Sequence, residues 1–286
     1  RLRGLIAALV FVSILSTGLV PIPATAAAAG HVWSWGDDLH EELGNGVGRA
    51  DRNIPGAAIV DGVQLGGFQS VAAGYNHSLA LKDDGTVWAW GADTNGQLGD
   101  GTFEGPEYDP VPTQVVGLAD VKAIAAGFQH SVALKNDGTV WAWGDDYLGQ
   151  LGTGEAGNPR ARSFATPQRT VLLDHVVAIA SSYYHSLALK DDGTVWVWGA
   201  YCAGFWNVAP YPYADCPTPR QVNGVGGVTA IAMSRYHALA LKDDGTVLSW
   251  GNNTHGQLGR ATGVDSGNAQ PPATVAGLGN IVAVAA

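Results

Sequence analysis

The chain has 286 residues, a formal net charge of −10, only 14% charged side chains, 40 glycines and 10 tryptophans. That length is enough to bury a substantial core, and a sequence rich in glycine and tryptophan but poor in charge is typical of turn-rich β proteins. The acidic balance and the lack of any basic run exclude a nucleic-acid surface, because phosphate binding needs clustered lysine and arginine.

Residues 1–29 have the pattern of a secretory signal peptide. Two arginines precede an apolar run from Leu5 to Val20, and small residues with A-x-A spacing follow. The alternative is an uncleaved membrane anchor, but the apolar run is short for a span. We therefore expect residues 30–286 to form the mature domain. The same pattern predicts a protein that is secreted or displayed at the cell surface, with no membrane span after cleavage.

One phrase recurs along the rest of the chain. HSLALKDDGTVWAWG at 77–91 has near copies at 130–144, 185–199 and 237–251. The Trp-Gly that closes each copy also occurs at the start of the domain, so this dipeptide repeats every 52 to 55 residues. A repeat of this length determines the architecture before any single motif is considered.

Each repeat unit is predicted to hold four short antiparallel strands, A to D. An apolar run is followed by two alternating segments that flank Asp-Gly, the strongest short hairpin signal, and a later segment with proline reads as an edge strand. In the second unit these strands are predicted at 121–127, 130–135, 139–143 and 166–173. Four-stranded units of this length indicate an all-β propeller, and no useful helical periodicity follows the signal segment.

These motifs resemble the regulator of chromosome condensation repeat family, whose blades carry G-x-x-H-s-x-A-L-x-x-D-G-x-V-x-x-W-G followed by G-Q-L-G. The resemblance covers essentially all of 30–286 and includes NGQLGDGT at 95–102, LGQLGTG at 148–154 and HGQLG at 255–259. It implies a seven-bladed propeller. The chain is also similar to secreted bacterial members of the family, among them a β-lactamase-inhibiting propeller, which bind other proteins.

The number of units falls short of seven. Four blades are complete, with strand A starting near Val71, Val121, Val176 and Val228. A strand C at 31–36 precedes them, and a strand A at 280–286 follows them. We expect about five blades in this sequence, four complete plus partial strands at both ends. An open arc of blades would leave edge strands exposed, which favours aggregation. We therefore expect the sequence to be a seven-bladed propeller truncated at its C-terminus.

The residues that recur in every blade are predicted to be structural. The histidines that open strand B (His77, His130, His185 and His237) lie one per blade, so the ring separates them and one metal could not bind them together. Turn chemistry explains the Asp-Gly pairs, and the paired tryptophans are expected to pack between blades. No nucleotide-binding or hydrolase motif occurs, so we expect no cofactor and no metal.

Two cysteines, Cys202 and Cys216, fall in one loop of the third blade. In an exported protein they can form a disulfide, which would contribute about 3 kcal/mol by loop entropy. Two cysteines with no nearby histidine do not complete a zinc site.

The loops that vary are the candidate binding site. The strand order places the A–B and C–D loops on one face of the propeller and the B–C turns and D–A links on the other. The turns and links have nearly the same sequence in every blade, whereas the loops differ. Exposed aromatic residues with arginine are typical of protein-binding hot spots, although loop aromatics can also pack only their own loop. The candidates are Tyr75, Phe128, Tyr183 and Arg235 in A–B loops, and Tyr147, Tyr201, Phe205, Trp206, Tyr211 and Tyr213 in C–D loops.

Three functions are consistent with this pattern. The first is a non-catalytic interaction scaffold, secreted or surface-displayed, that binds a protein or a glycan. The second is a hydrolase or lyase at the axial mouth, for which His40, His255, Glu104 and Glu107 are the candidates. The third, guanine-nucleotide exchange, is implied by nuclear family members, but export and acidity argue against it. No functional residue of the family transfers, because the matches are all scaffold positions.

Overall fold

The computed structural model describes residues 30–36, 41–46, 52–60, 63–64, 66–103, 108–154, 163–200, 215–261 and 269–286. These residues form strands, turns and irregular segments, and none of the described part is a helix able to cross a membrane. The prediction of an all-β chain is therefore confirmed.

Four antiparallel sheets, one per complete repeat, form the body of the molecule; three have four strands, and the first has a fifth strand at its edge. Strands A to D are neighbours in that order in each sheet, as the sequence predicts. The first blade holds β6 (Gly66–Ala73), β7 (His77–Lys82), β8 (Val87–Ala92) and β9 (Tyr108–Gln114), and the second holds β10 (Val121–Ala126), β11 (His130–Lys135), β12 (Val140–Asp145) and β13 (Ser163–Arg169). The third holds β14 (Val176–Ser182), β15 (His185–Lys190), β16 (Val195–Gly199) and β17 (Cys216–Gln221), and the fourth holds β18 (Val228–Met233), β19 (His237–Lys242), β20 (Val247–Gly251) and β21 (Gln270–Thr274).

The N-terminal region supplies the predicted partial blade. Its strands are β1 (Gly30–His31), β2 (Trp33–Gly36), β3 (Arg52–Ala57), β4 (Ile59–Val60) and β5 (Val63–Gln64). The pair β2–β3 corresponds to strands C and D. His31, expected at the beginning of strand C, instead belongs to β1, which pairs with β6 and extends the first blade. At the other end, residues 280–286, predicted to form a strand A, join no sheet.

The boundaries of strand D in the second blade differ from the prediction. β13 begins at Ser163 rather than 166 and ends at Arg169, because its ladder pairs Gly144 with Phe164 and a turn begins after Thr170. Pro167 therefore lies inside the strand. It falls where the register shifts between Ala142 and Gly144, and an edge strand tolerates a residue without an N–H there.

The core lies between blades, and the second tryptophan of each pair fills it. Trp143 of the second blade shares one buried cluster with Leu79, Val87 and Leu98 of the first. The tryptophans Trp90, Trp143, Trp198 and Trp250 are all buried. In the first three complete blades the first tryptophan of the pair is half-buried instead and lies under a lysine of strand B, as where Lys82 Nζ is 4.8 Å from the Trp88 ring centre; Trp33, by contrast, is exposed. The predicted packing role is confirmed for the second tryptophans.

Buried polar groups also join consecutive blades. The Ser131 hydroxyl of the second blade donates to the Gln97 carbonyl of the first at 2.9 Å, and Trp143 Nε1 donates to the same carbonyl at 2.9 Å. His77 Nε2 lies 3.0 Å from Ser131 Oγ. Because the single hydroxyl hydrogen already points to Gln97, His77 must donate from Nε2. The G-Q-L-G motif is thus one side of an inter-blade clamp.

The second and third blades repeat this clamp. His130 Nε2 lies 3.0 Å from Ser186 Oγ, which donates to the Gln150 carbonyl. Burial lowers the pKa of His130 to about 3 and those of His77 and His185 to about 4, so all three are neutral near pH 7. In the fourth blade Ala238 takes the serine position, and the hydroxyl link ends there.

The Asp-Gly turns have the chemistry expected of hairpins. Asp84 Oδ1 accepts from the Thr86 amide at 2.9 Å and from its hydroxyl at 2.6 Å, which holds the pKa of Asp84 below its usual value. Gly85 has φ 79°, the left-handed conformation that the turn requires. Within the described part of the chain no group of three or more histidine, cysteine or acidic residues could hold a metal ion.

Candidate interaction face

Backbone hydrogen bonds divide the loops into two faces, as the strand order predicts. On one face the last residue of strand C bonds the A–B loop of the same blade: the Ala92 amide donates to the Asn76 carbonyl at 2.7 Å and the Asp145 amide to the Gln129 carbonyl at 2.8 Å. On the other face B–C turns bond the next strand A, as where Val121 donates to Gly85 at 3.1 Å. We call the face with A–B and C–D loops the loop face.

Glycine makes the close approach on the loop face possible. Gly144 has φ 96°, and a Cβ at this position would lie 2.5 Å from the Gln129 carbonyl oxygen. The Trp-Gly that closes each repeat therefore allows strand C to leave the sheet directly against the A–B loop.

Four equivalent side chains form a continuous row across the loop face. Each lies two residues before the histidine of strand B: Tyr75, Phe128, Tyr183 and Arg235. The ring centres of Tyr75 and Phe128 are 4.3 Å apart and those of Phe128 and Tyr183 are 4.9 Å apart. The Arg235 guanidinium carbon is 3.9 Å from the Tyr183 ring centre.

Two adjoining tyrosines widen this row. Tyr184 lies 4.2 Å from Tyr183 and 5.3 Å from Phe128 between ring centres, and Tyr236 lies 4.8 Å from the guanidinium of Arg235. Burial raises the pKa of Tyr184, and Tyr183 adds to the shift. We call the six residues, Tyr75, Phe128, Tyr183, Tyr184, Arg235 and Tyr236, the aromatic row. Its rings pack against loops of neighbouring blades rather than only against their own loop.

The backbone fixes the row from blade to blade. The Tyr75 amide donates to the Gly127 carbonyl at 3.2 Å, and the Phe128 amide donates to the Tyr183 carbonyl at 2.7 Å. The A–B loops of the first three complete blades are therefore hydrogen-bonded in series, so the side chains that they carry are held in position.

Tyr183 has an unusual backbone conformation. It lies in the tight β14–β15 hairpin with φ 51°, a left-handed value that is unfavourable for a large side chain. In this conformation its carbonyl accepts the Phe128 amide. Strained residues of this kind persist where the surrounding structure fixes them, and they concentrate at functional sites.

The row is partly open to solvent. Tyr75 is 64% exposed and Tyr236 44% exposed, Arg235 is also exposed, and Phe128, Tyr183 and Tyr184 are half-buried. Half-buried rings flanked by exposed ones give a surface with apolar area and polar edges, which suits binding of another macromolecule.

The remaining predicted site residues are not brought into this row. Tyr147, in the β12–β13 loop, is 64% exposed and makes no ring contact with any described residue. The other aromatic candidates Tyr201, Phe205, Trp206, Tyr211 and Tyr213 lie outside the described residues. Cys216 is buried and disulfide-bonded, whereas Cys202 lies outside the described residues. Of the four enzyme candidates His255 is exposed, and His40, Glu104 and Glu107 lie outside the described residues.

One buried acid on the loop face escaped sequence reasoning. Asp93 Oδ1 accepts the Leu98 amide at 2.9 Å, and burial raises the pKa of Asp93 to about 7, with Asp100 and Asp109 adding to the shift. Asn253 makes the same bond to Leu258 in the fourth blade. The signal was available, since an Asp or Asn stands four residues before the Gln of each G-Q-L-G.

These features define a repeat β-propeller with clamped blades and a variable loop face. A family model for the RCC1-like domain matches residues 11–286, and the chain belongs to this family. The predicted resemblance is confirmed at that level.

The curated relatives are longer proteins from eukaryotes. Human probable E3 ubiquitin-protein ligase HERC6 is 34% identical over 236 residues, which cover 80% of this chain and 22% of HERC6. The bovine secretion-regulating guanine nucleotide exchange factor is 29% identical over 245 residues, covering 82% of this chain and 50% of that protein. The chain spans about half or less of these relatives. They give no support to a bacterial, secreted origin, which remains a prediction.

Solved structures share the fold. Human WBSCR16 aligns with a TM-score of 0.74 and 25% identity, covering 91% of this chain and 69% of that chain. Yeast RCC1 (Prp20) bound to Kap60 aligns with a TM-score of 0.70 and 25% identity, over 86% of this chain and 57% of that chain. Prp20p from Saccharomyces cerevisiae, described with its binding properties to Gsp1p and histones, has a TM-score of 0.68 and the same identity, over 86% of this chain and 59% of that chain. The propeller architecture is therefore that of known RCC1 structures.

Proposed function

We propose that this chain is a non-catalytic propeller that binds a protein partner on the aromatic row. The observation that carries the proposal is the unbroken contact from Tyr75 through Phe128 and Tyr183 to Arg235, which joins four blades on one face. Tyrosine and arginine are among the residues that dominate binding energy at protein interfaces.

The mechanism is rigid presentation. In the first three complete blades the His–Ser links and the hydrogen-bonded A–B loops hold the row before the partner arrives, and Arg235 lies against Tyr183 and Tyr236, so little conformational entropy is lost on binding. Two solved relatives support a protein partner, since yeast RCC1 was solved with Kap60 and Prp20p is described as binding Gsp1p and histones. Secretion or surface display, predicted from residues 1–29, is the location in which we expect this binding to occur.

A protein partner is favoured over a glycan by the packing of the rings. A sugar ring stacks on an open aromatic face, whereas Phe128 is contacted by Tyr75, Tyr183 and Tyr184 within 5.3 Å between ring centres. The row therefore presents edges and partly covered faces. Such a surface is suited to apolar and polar protein side chains together.

Affinity capture with matched variants tests the proposal. The full chain is immobilised and exposed to secreted and surface proteins of its source, and bound proteins are quantified for wild type, Phe128→Ala, Tyr183→Ala and Tyr147→Ala. We expect a partner that Tyr147→Ala retains and that both row variants lose by about tenfold or more, as for hot-spot residues. A partner retained equally by all four proteins, each shown to be folded by its thermal unfolding, would contradict the proposal.

Nucleotide exchange is the second candidate function. It is favoured by the relationship to the bovine exchange factor, which is 29% identical over most of this chain. Release of fluorescent GDP from a panel of small GTPases, accelerated by the wild-type protein, would support it. The hydrolase or lyase hypothesis gains no observation, since only His255 of its residues is described.

A further inference from the structure

We infer that Arg235 is the carboxylate-binding element of the aromatic row, and that the row binds a protein segment carrying Asp or Glu at the Arg235 end. The inference rests on the proposed function and specifies the partner for it. The apolar side chains of the same segment would contact Phe128 and Tyr75, at the other end.

Arg235 lies over two rings of the row. Its guanidinium carbon lies 3.9 Å from the Tyr183 ring centre and 4.8 Å from that of Tyr236. Stacking uses the faces of the guanidinium plane, whereas its N–H groups lie in that plane and stay available to an acceptor. Arg235 is therefore pre-organised for a carboxylate that approaches edge-on and accepts two parallel bonds.

No carboxylate of the described chain occupies this arginine. Arg235 contacts the rings of Tyr183 and Tyr236 but makes no hydrogen bond or ion pair to a described residue. The arginines Arg169 and Arg260 behave differently: Arg169 pairs with Asp174 at 2.8 Å, and Arg260 donates to the Pro271 carbonyl at 2.6 Å. The N–H groups of a stacked guanidinium with unused donors can bind an acceptor on a partner.

Charge on the loop face favours an acidic segment. The A–B loops of the four complete blades hold a single charged side chain, Arg235, among neutral and aromatic ones. Asp145, whose charge acts on Tyr184 of the row, already accepts from the Tyr147 amide at 3.0 Å and from Gln150 Nε2 at 2.9 Å. A partner carboxylate would therefore meet one cation on an apolar surface, where partial desolvation strengthens the bond.

A displayed random-peptide library provides the probe. Phage are selected on the wild-type chain, and the strongest peptide is synthesised with its acidic residue as Glu and as Gln. Dissociation constants are measured for wild type, Arg235→Gln, Arg235→Lys, Phe128→Ala, Tyr183→Ala and the control Arg169→Gln, which removes a charge elsewhere on the chain.

We expect acidic residues to be enriched at one position of the selected peptides. Arg235→Gln should weaken the Glu peptide about tenfold, as for loss of a charge-assisted bond, and leave the Gln peptide unchanged. Arg235→Lys should recover only part of the loss, because lysine lacks the planar fork, and Arg169→Gln should have no effect. The Glu peptide should also weaken as salt rises, more for wild type than for Arg235→Gln.

The outcomes separate the two proposals. Peptides that need Phe128 and Tyr183 but show no acidic preference and no response to Arg235→Gln would overturn the inference and leave the binding function standing. A selection that returns no peptide dependent on Phe128 or Tyr183 would overturn both.

Discussion

At Tyr183 the backbone adopts φ 51°, a conformation that disfavours a large side chain by about 1–2 kcal/mol. The residue nevertheless bears the ring that contacts Phe128, Tyr184 and Arg235. The Tyr183 carbonyl accepts the Phe128 amide of the second blade, as the Gly127 carbonyl accepts the Tyr75 amide of the first. The strain thus coincides with the centre of the row, and backbone strain of this kind is frequent at functional sites.

Two variants separate this backbone strain from the ring contacts. Tyr183→Gly and Tyr183→Ala both remove the ring, but only glycine adopts the left-handed conformation without steric conflict. We expect Tyr183→Gly to be more stable than Tyr183→Ala by about 1 kcal/mol in urea unfolding. Equal stabilities, or a more stable alanine variant, would show that the native chain holds no such strain there.

The sequence reveals the residues of the row but not their contacts. The repeat places Tyr75, Phe128, Tyr183 and Arg235 at one position of successive blades, so their common face is predictable. Whether their side chains meet depends on the spacing of blades around the axis and on the φ of Tyr183, and neither is written in a single repeat.

At the scale of the element, the hairpins of the first two complete blades are each linked to the next blade by side chains of the repeat motif. His77 and Ser131 belong to different blades and are 54 residues apart, yet His77 Nε2 and Ser131 Oγ lie 3.0 Å apart. The Gln97 carbonyl accepts the serine hydroxyl hydrogen, which leaves the serine oxygen to accept from His77. The structural role of the histidine was predicted, but its partner was not, since a pattern that repeats in every unit does not tell which copy it contacts.

Removing this hydroxyl should weaken the junction between the first two blades. Ser131→Ala leaves His77 Nε2 without its acceptor in a buried site, and we expect a loss of about 1–3 kcal/mol in the free energy of unfolding. Ser70→Ala is the control, because Ser70 donates to no described group, and it should change stability by less than about 0.5 kcal/mol. A Ser131→Ala variant as stable as wild type would contradict the clamp.

Strand limits show where element-level prediction fails. Strand B of every complete blade is found where its alternation predicts it, because hairpin register is fixed by the Asp-Gly turn. The ends of β13 and the pairing of β1 with β6 depend on long-range ladders and on a register shift, which local sequence does not specify.

For the whole molecule, the buried histidines make stability depend on pH. Their folded pKa values, about 4, 3 and 4 for His77, His130 and His185, lie below the value of 6.5 expected in the unfolded chain. Below pH 6.5 the unfolded state therefore binds more protons, and stability falls as the pH falls toward 4. Asp93 partly opposes this loss of stability at low pH. Its pKa is about 7 in the folded protein, so Asp93 holds a proton there that the unfolded chain releases above about pH 4.

Between pH 6 and 4.5 the unfolded chain therefore binds on the order of two protons more than the folded protein. The free energy of unfolding should fall by about 2–3 kcal/mol per pH unit over this range as the pH is lowered. Urea unfolding across this range measures it. Asp93→Asn, which copies the Asn253 of the fourth blade, should steepen the fall and raise stability at pH 8, since it removes the cost of ionising a buried acid. A free energy independent of pH in this window would contradict the neutral buried histidines.

The central claim is that a protein partner docks on the aromatic row. Its most direct test is photo-crosslinking of the captured partner to the full chain carrying benzoylphenylalanine at Tyr75 or at Leu172. The two positions are 64% and 69% exposed, and Leu172 lies in a D–A link on the opposite face. We predict a crosslinked partner at Tyr75 and none at Leu172; crosslinking at Leu172 without any at Tyr75 would contradict the account.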